Sequence, residues 1–365
     1  MRIALLTAWA LAAAAAWAKA ESSQSGMIEL VLEGRKIEGT PLAWNHREVH
    51  LLARDGRLWQ FAPGEATQFR KTASRFRAYS TSELRATLLR ELGGGYEVTG
   101  SGHYLVAHPR GQRDRWAQRF EELYRSFFHY FSVRGFQLDE PRCPLIGVVC
   151  RSSDDFIRCT AGEGSPAGTG VLGCYYLPSN RIVLYDASGG KVGDSDGWQQ
   201  NAAVAIHEAT HQTAFNTGIH SRFTPPPYWV VEGLATMFEA PGVYNSRYNT
   251  RLADRIHFGL LEQFRRLAAA GHKPELLAEL IASDRFFQVA PAAAYAEAWA
   301  LTFYLVETQR GKYAEYLART ANRPPLRPYT AAERTADFSA VFGDDWRMLE
   351  SQLLRFIAGL PSERN

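Results

Sequence analysis

The segment HEATH, from His207 to His211, constrains the fold of this chain more than any other feature. In an α-helix, residues four apart lie on one face, so both imidazoles can reach the same metal ion if this segment is helical. Glu208 is rotated by roughly 100° from His207, where its carboxylate can approach a water molecule without binding the metal. The pattern is typical of a zinc site that activates water, and the alternative is a chance occurrence.

A catalytic zinc ion needs a third protein ligand and one open position. The candidate is Glu232, in a second helix that the sequence predicts after a triple proline and before Pro241. Its neighbours in the run VVEGLA are apolar, and a carboxylate among apolar residues is costly unless it is paired or binds a cation. The alternative is that Glu232 caps its helix or faces water. We therefore predict one Zn²⁺ ion bound by His207, His211 and Glu232.

Two segments precede this region. Residues 21–80 alternate apolar and polar side chains in short runs separated by turn signals, which is typical of strands with one buried face. We expect a small β-rich, barrel-like domain there, with Asp55-Gly56 as a hairpin turn. Residues 81–140 predict a connecting α/β segment that contains an amphipathic helix over about 112–133, where apolar residues recur at helical spacing.

Residues 141–360 combine strands and helices. Three strand-like runs begin at Leu145, Val171 and Arg181, and helical patterns follow almost to the end of the chain. Strands followed by helices indicate the α+β class. We predict a small N-terminal β-domain followed by a hydrolase-like domain, which has a short antiparallel-type sheet and a mostly α-helical C-terminal part.

The first twenty residues carry a basic start at Arg2, an apolar stretch from Ile3 to Trp17, and small residues around Lys19. This pattern predicts a secretory signal peptide over residues 1–20. The alternative is an uncleaved membrane anchor, for which the apolar run is short. We expect an exported protein, periplasmic or secreted, with no stable membrane span after cleavage.

All four cysteines fall within one short stretch: Cys143, Cys150, Cys159 and Cys174. An even number of cysteines in an exported chain predicts two disulfides, and three pairings are open. A four-thiolate zinc site is the alternative, although the spacings lack the Cys-x-x-Cys pattern that such sites favour.

Composition narrows the function classes. The hydrophobic share of 46% and the charged share of 22% are those of an ordinary globular chain, which excludes a disordered one. The formal net charge is only +3, and basic residues are interspersed with acidic ones. Nucleic acid is therefore not an expected partner.

Three runs together resemble a known group of proteins. These are HEATHQ, then P-x-W-x-x-EGLAT-x-x-E, then Y-x-x-x-W-A-L-x-x-Y-L. HExxH followed by a helical Glu resembles the gluzincins, which are the thermolysin-like zinc metallopeptidases. More closely, the runs resemble an exported bacterial group of domains of unknown function, group 1570, within that clan. The resemblance covers about Leu145 to Leu305 and implies a gluzincin-like fold for this region.

The resemblance implies roles for individual residues. Glu208 corresponds to the general base, and the two histidines with Glu232 correspond to the zinc ligands. The clan also uses a Tyr or His to stabilise the transition state, for which Tyr295 is our favoured candidate. The alternatives to it are Tyr244, Tyr248 and His257. Glu239 lies two turns after Glu232 and is expected either to orient a zinc-bound imidazole or to be a solvated helix end.

The resemblance also implies a peptide or protein substrate. The run RIVLYD, from Arg181 to Asp186, would be an edge strand that pairs with an extended peptide. One rival hypothesis is a cell-wall amidase or peptidoglycan hydrolase with the same zinc chemistry. Another is a catalytically silent zinc-containing binding protein, although the presence of Glu208 argues against it because a structural zinc needs no base.

Overall fold

The computed structural model describes residues 26–111, 115–164, 168, 170–186, 195–245, 251–271 and 275–362. The expected signal peptide, residues 1–20, and Tyr248 lie outside these ranges. Among the described residues, no helix has both the length and the apolar character needed to cross a membrane.

The first sheet is an antiparallel sheet of five strands in the order β4-β3-β2-β1-β5. The side chains of Leu30, Val49 and Leu51 are fully buried in its core. The predicted hairpin turn joins β3 to β4, with Gly56 at a φ of 89°. Among the described strands, β4 and β5 form the two edges and do not pair with each other, and the barrel-like shape remains a prediction. Its strands are β1 (Met27–Leu32), β2 (Arg35–Trp44), β3 (Val49–Ala53), β4 (Leu58–Phe61) and β5 (Ala66–Ala73).

The second sheet has the order β6-β7-β8-β10-β9 and is mixed, whereas the sequence predicted an antiparallel type. β8 runs parallel to both β7 and β10, because helical crossovers connect these strands. β10 lies between β8 and β9, so the run RIVLYD is an inner strand and its predicted edge position is wrong. The strands are β6 (Tyr96–Gly100), β7 (Tyr104–Pro109), β8 (Leu145–Cys150), β9 (Gly173–Tyr176) and β10 (Arg181–Tyr185).

Helices dominate the rest of the described chain, which confirms the α+β class. Helix α2 includes most of the segment predicted to be an amphipathic helix. The helices are α1 (Thr81–Leu92), α2 (Arg115–Ser132), α3 (Ser153–Gly162), α4 (Ser195–Asn216), α5 (Tyr228–Phe238), α6 (Pro241–Tyr244), α7 (Phe258–Ala269), α8 (Glu275–Ala282), α9 (Arg285–Val289), α10 (Pro291–Thr308), α11 (Arg310–Ala321), α12 (Ala331–Phe342) and α13 (Trp346–Ala358).

The chain divides into two compact units. The first comprises Met1–Ala117 and Pro141–Tyr185, and the second comprises Gln118–Glu140 and Asp186–Asn365. Both sheets therefore belong to the first unit, whereas the sequence grouped β8, β9 and β10 with the helices that follow. The domain boundaries proposed near residues 20, 80 and 140 remain predictions.

The four cysteines are free thiols. The thiols of Cys150 in β8 and Cys159 in α3 adjoin each other, which raises the pKa of Cys150 and lowers that of Cys159. The Cys174 thiol adjoins the Tyr176 hydroxyl. Within the described ranges, no group of three or more potential metal ligands contains a cysteine, so a four-thiolate site is not formed. The two disulfides remain a prediction, with all three pairings open.

The core of the second unit forms where α5 packs closely against α10. Trp229, Trp299 and Phe303 are fully buried in this core. Gly233 allows the close approach, because a Cβ at this position would lie 2.2 Å from Thr302 Oγ1 and 2.6 Å from the Ala298 carbonyl oxygen. The backbone beside Glu232 is therefore held in place by a contact that only glycine permits.

We expect Gly233→Ala to lower the free energy of unfolding by roughly 3 kcal/mol, because the added methyl group meets backbone that cannot move aside. Gly311→Ala, in α11, is the matched control. A Cβ at Gly311 has no heavy atom within 4 Å. Gly311→Ala should therefore raise the free energy of unfolding by about 0.5 kcal/mol, because alanine has the higher helix propensity. Chemical denaturation measures both changes, and equal stability of the two variants would contradict the packing argument.

Candidate metal centre

Helix α4 carries the two histidines of the HEATH segment. It is anchored by small side chains, since Ala209 and Ala214 are fully buried. Thr210 Oγ1 donates a hydrogen bond of 2.8 Å to the Ile206 carbonyl oxygen within the same helix. The rings of His207 and His211 lie on one face, with centroids 4.6 Å apart and planes at 87°. The predicted helical placement of both imidazoles is thus observed.

Helix α5 brings Glu232 to the histidines. Every residue from Trp229 to Phe238 is buried, so the helix has no solvated face along this stretch. Glu232 is only 4% exposed. An isolated carboxylate in such a place would be costly, and it therefore requires a cation or another partner. The alternative in which Glu232 faces water is wrong.

Three ligand atoms converge between α4 and α5. His207 Nε2 lies 3.0 Å from His211 Nε2 and 3.2 Å from Glu232 Oε2. His211 Nε2 lies 3.6 Å from Glu232 Oε1. These residues form the one group of three or more potential metal ligands in the described part of the chain. Around a tetrahedral zinc ion with bonds of about 2.0–2.1 Å, ligand atoms lie about 3.3–3.4 Å apart, so the spacing suits this ion.

The electrostatics of the site favour a positive charge at its centre. Burial alone would lower the pKa of His207, but the adjoining carboxylates of Glu232, Glu239 and Glu208 raise it well above the usual value. Burial alone would raise the pKa of Glu232, but the charge and contacts of His211 and His207 lower it well below its usual range. The donor set therefore combines two imidazoles with an ionised carboxylate.

Glu239 lies next to the ligands, as one of the two sequence interpretations expected. Its Oε1 lies 2.8 Å from His207 Nδ1, the ring nitrogen that faces away from the other ligands. Its Oε2 lies 3.0 Å from His257 Nε2. Burial alone would raise the pKa of Glu239, but the hydrogen bonds from His207 and His257 lower it to about 2. Glu239 is therefore not a freely solvated helix end.

Glu208 is buried beside the three ligand atoms but does not join their group. Its charge contributes to the raised pKa of His207 and of two tyrosines near the site. This placement agrees with the rotation expected from its position in the helix, where the carboxylate faces the site without being a ligand.

Two tyrosines, Tyr295 and Tyr228, lie near Glu232, whose carboxylate contributes to the raised pKa of both hydroxyls. The pKa of Tyr295 is raised mainly by burial and, to a smaller extent, by the charge of Glu232. The pKa of Tyr228 is raised mainly by the charge of Glu232 and, to a smaller extent, by burial. Tyr228 is not among the site residues predicted from the sequence, although its position one helical turn before Glu232 is a signal that could have identified it.

The other candidates for a transition-state donor are placed differently. Tyr244 lines a cavity with Ala205 and Ile206, which lie on a different face of α4 from the two histidines. His257 lies on the far side of Glu239, and its two ring nitrogens are engaged by Glu239 and by the backbone N–H of Leu260. Both ring nitrogens of His257 are therefore engaged away from the converging ligand atoms.

One protein-family model matches part of the chain. A family model described as "Protein of unknown function (DUF1570)" matches residues 201–327, which include all the residues of the site. No curated protein matches the chain.

Two solved structures are similar to parts of the chain. One is an M1 zinc metallopeptidase mutant from Deinococcus radiodurans, with 13% identity, a TM-score of 0.41, and coverage of 74% of this chain and 55% of that one. The other is the same kind of mutant bound to a Tyr-Ser-Ala substrate, with 14% identity, a TM-score of 0.38, and coverage of 73% and 53%. The chain thus spans about half the length of the structures it matches.

Proposed function

We propose that the chain is a zinc-dependent hydrolase of peptide bonds, of the gluzincin type. The observation that carries the proposal is the convergence of His207 Nε2 and His211 Nε2, 3.0 Å apart, on the Glu232 carboxylate, whose Oε2 lies 3.2 Å from His207 Nε2 and whose Oε1 lies 3.6 Å from His211 Nε2. A cation between these buried atoms would satisfy all of them at once, because each residue can offer it a lone pair. The donor set is the one that catalytic zinc sites use.

His207, His211 and Glu232 would hold one Zn²⁺ ion. When bound, zinc lowers the pKa of a water molecule to about 7 and polarises the carbonyl group of a substrate. Three protein ligands leave one tetrahedral position open, which distinguishes a catalytic from a structural zinc site. The arrangement therefore favours an enzyme over a silent zinc-containing protein.

Glu208 is the proposed general base. Its carboxylate takes a proton from the attacking water and then returns that proton to the nitrogen of the leaving amine. This role requires a carboxylate that faces the site but does not bind the metal, which matches the position of Glu208.

Tyr295 is the proposed transition-state donor. Its hydroxyl would donate a hydrogen bond to the carbonyl oxygen of the substrate as negative charge develops there. Tyr295 belongs to α10, in which the residues from Ala296 to Val306 are all buried, so the helix holds its side chain rigidly. Tyr228 is 44% exposed at the first position of α5 and is less firmly held.

We expect Tyr295→Phe to lower kcat by about 10²–10³-fold and to leave KM nearly unchanged, because the lost hydrogen bond forms mainly in the transition state. Tyr228→Phe is the matched control, since it removes the other tyrosine hydroxyl that lies near the Glu232 carboxylate. Its kcat should fall less than about tenfold. Steady-state kinetics on one peptide substrate compares the variants, and the reverse order of effects would assign the donor role to Tyr228.

The function itself is tested by metal analysis and proteolysis. The purified protein should contain one zinc ion per chain and cleave members of a peptide library. Removal of zinc with a chelator should abolish cleavage, and one equivalent of Zn²⁺ should restore it. Zinc binding without cleavage of peptides or of purified cell wall would favour a silent binding protein, and cleavage of cell wall alone would favour an amidase. Absence of bound zinc would refute the proposal.

We also propose that the protein is exported, on the basis of the first twenty residues. Cell fractionation with immunodetection tests this proposal, and retention of the full-length chain in the cytoplasm would contradict it.

A further inference from the structure

A third imidazole, that of His257, adjoins the metal centre without contacting the ligand atoms. His257 is the N-cap residue of α7, and its Nδ1 accepts a hydrogen bond of 3.2 Å from the backbone N–H of Leu260. On the other side of the ring, Nε2 lies 3.0 Å from Glu239 Oε2. Glu239 Oε1 in turn lies 2.8 Å from His207 Nδ1. A continuous chain of hydrogen bonds therefore links the start of α7 to a proposed zinc ligand.

The backbone donor determines where the protons lie along this chain. The N–H of Leu260 can only donate, so His257 Nδ1 must present a lone pair and the neutral ring must carry its proton on Nε2. His257 therefore donates to Glu239, whose ionised carboxylate can only accept. The other carboxylate oxygen then accepts from His207 Nδ1–H, which leaves His207 Nε2 as the nitrogen that can bind a metal.

We propose that His257 is a positioning residue for the metal centre, which holds Glu239 in the orientation that fixes the tautomer and ring angle of His207. The inference rests on the proposed zinc site and adds a residue to it. The side chain of Glu239 is 19% exposed and stands at the C-cap of α5, where a lost anchor leaves it free to turn toward water. Loss of such an outer hydrogen bond typically weakens metal binding about 10–100-fold.

Two substitutions separate this role from simple capping of α7. His257→Asn places an oxygen near the position of Nδ1, which retains the cap, but it is too short to reach Glu239. His257→Gln places an N–H near the position of Nε2, which retains the bond to Glu239. The matched pair therefore removes one contact at a time.

The test measures zinc affinity by competition with a fluorescent zinc chelator, and the thermal unfolding of the metal-free protein. We expect His257→Asn to unfold at nearly the wild-type temperature and to bind zinc about 10–100-fold more weakly. His257→Gln should restore most of the affinity. If His257→Asn binds zinc as tightly as the wild type, or if both variants lose affinity equally, the positioning role is refuted.

A double-substitution cycle then tests whether His257 acts through Glu239. Combined with Glu239→Ala, His257→Asn should cause no further loss of zinc affinity, because the group through which it acts is already absent. A further tenfold loss in the double variant would refute the relay. A wild-type protein that binds no zinc would refute the proposed function itself, whereas a tight wild-type site with unaffected variants would refute only the role of His257.

Discussion

Replacement of Glu208 by Gln is expected to leave zinc bound and to lower kcat by about 10²–10⁴-fold, which is the range for loss of a general base. The amide has almost the same shape as the carboxylate but cannot take a proton from water at neutral pH. Because Glu208 lies outside the group of ligand atoms, the substitution leaves the metal contacts intact. The measurements are zinc content by mass spectrometry and kcat on a peptide substrate.

Glu262→Gln is a suitable control for Glu208→Gln. Glu262 lies on α7 with a side chain that is 72% exposed, and its ion pair with Arg266 spans 3.7 Å at the surface. Such a pair contributes little to stability, so the control should resemble the wild type in both zinc content and kcat. If Glu208→Gln cleaved peptide as fast as this control, the proposed mechanism would be wrong.

The second large effect is expected at the other buried glutamate of the site. We expect Glu232→Gln to weaken zinc binding by more than about 100-fold, because loss of an outer partner alone costs about 10–100-fold. A neutral amide also removes the negative charge that offsets the positive charge of the ion. Competition with a chelator measures the change in affinity.

The two Glu→Gln variants make opposite predictions for zinc and form a matched pair. Each removes one carboxylate charge from the same buried site, so a general electrostatic effect would weaken zinc binding in both. If only the Glu232 variant loses zinc, that carboxylate is a ligand. Tight zinc binding by the Glu232 variant would contradict the proposed ligand set and would require a different third ligand.

Much of the fold could be predicted because its signals are local. The hairpin turn at Asp55-Gly56 and the α4 helix follow from residue types and spacings within a few positions of each other. The prediction failed for the second sheet, where β10 is an inner strand. The order of strands depends on which segments pair after helical crossovers, and the alternation within a single strand does not specify that.

In the candidate site, too, positions within one helix could be predicted from the sequence, whereas contacts between helices could not. Spacing within α4 places His207, Glu208 and His211, and the apolar neighbours of Glu232 signalled a buried carboxylate. Spacing gave no means of choosing among four possible donors. The structure brings Tyr295 of α10 near Glu232 because α5 and α10 pack closely at Gly233, whereas Tyr228 lies one turn before Glu232 within α5 itself.

By itself, the sequence determined the residue types of the candidate metal centre: two imidazoles one helical turn apart, a carboxylate beside them, and a further carboxylate in an apolar helix. A helix imposes those relations wherever it packs, because they follow from its pitch. Only the tertiary structure decided which side chains from other elements meet this helix, namely Glu232 at the ligand position and Glu239 with His257 behind His207. These contacts join residues from separate helices, and packing between helices, which no local periodicity encodes, sets their distances.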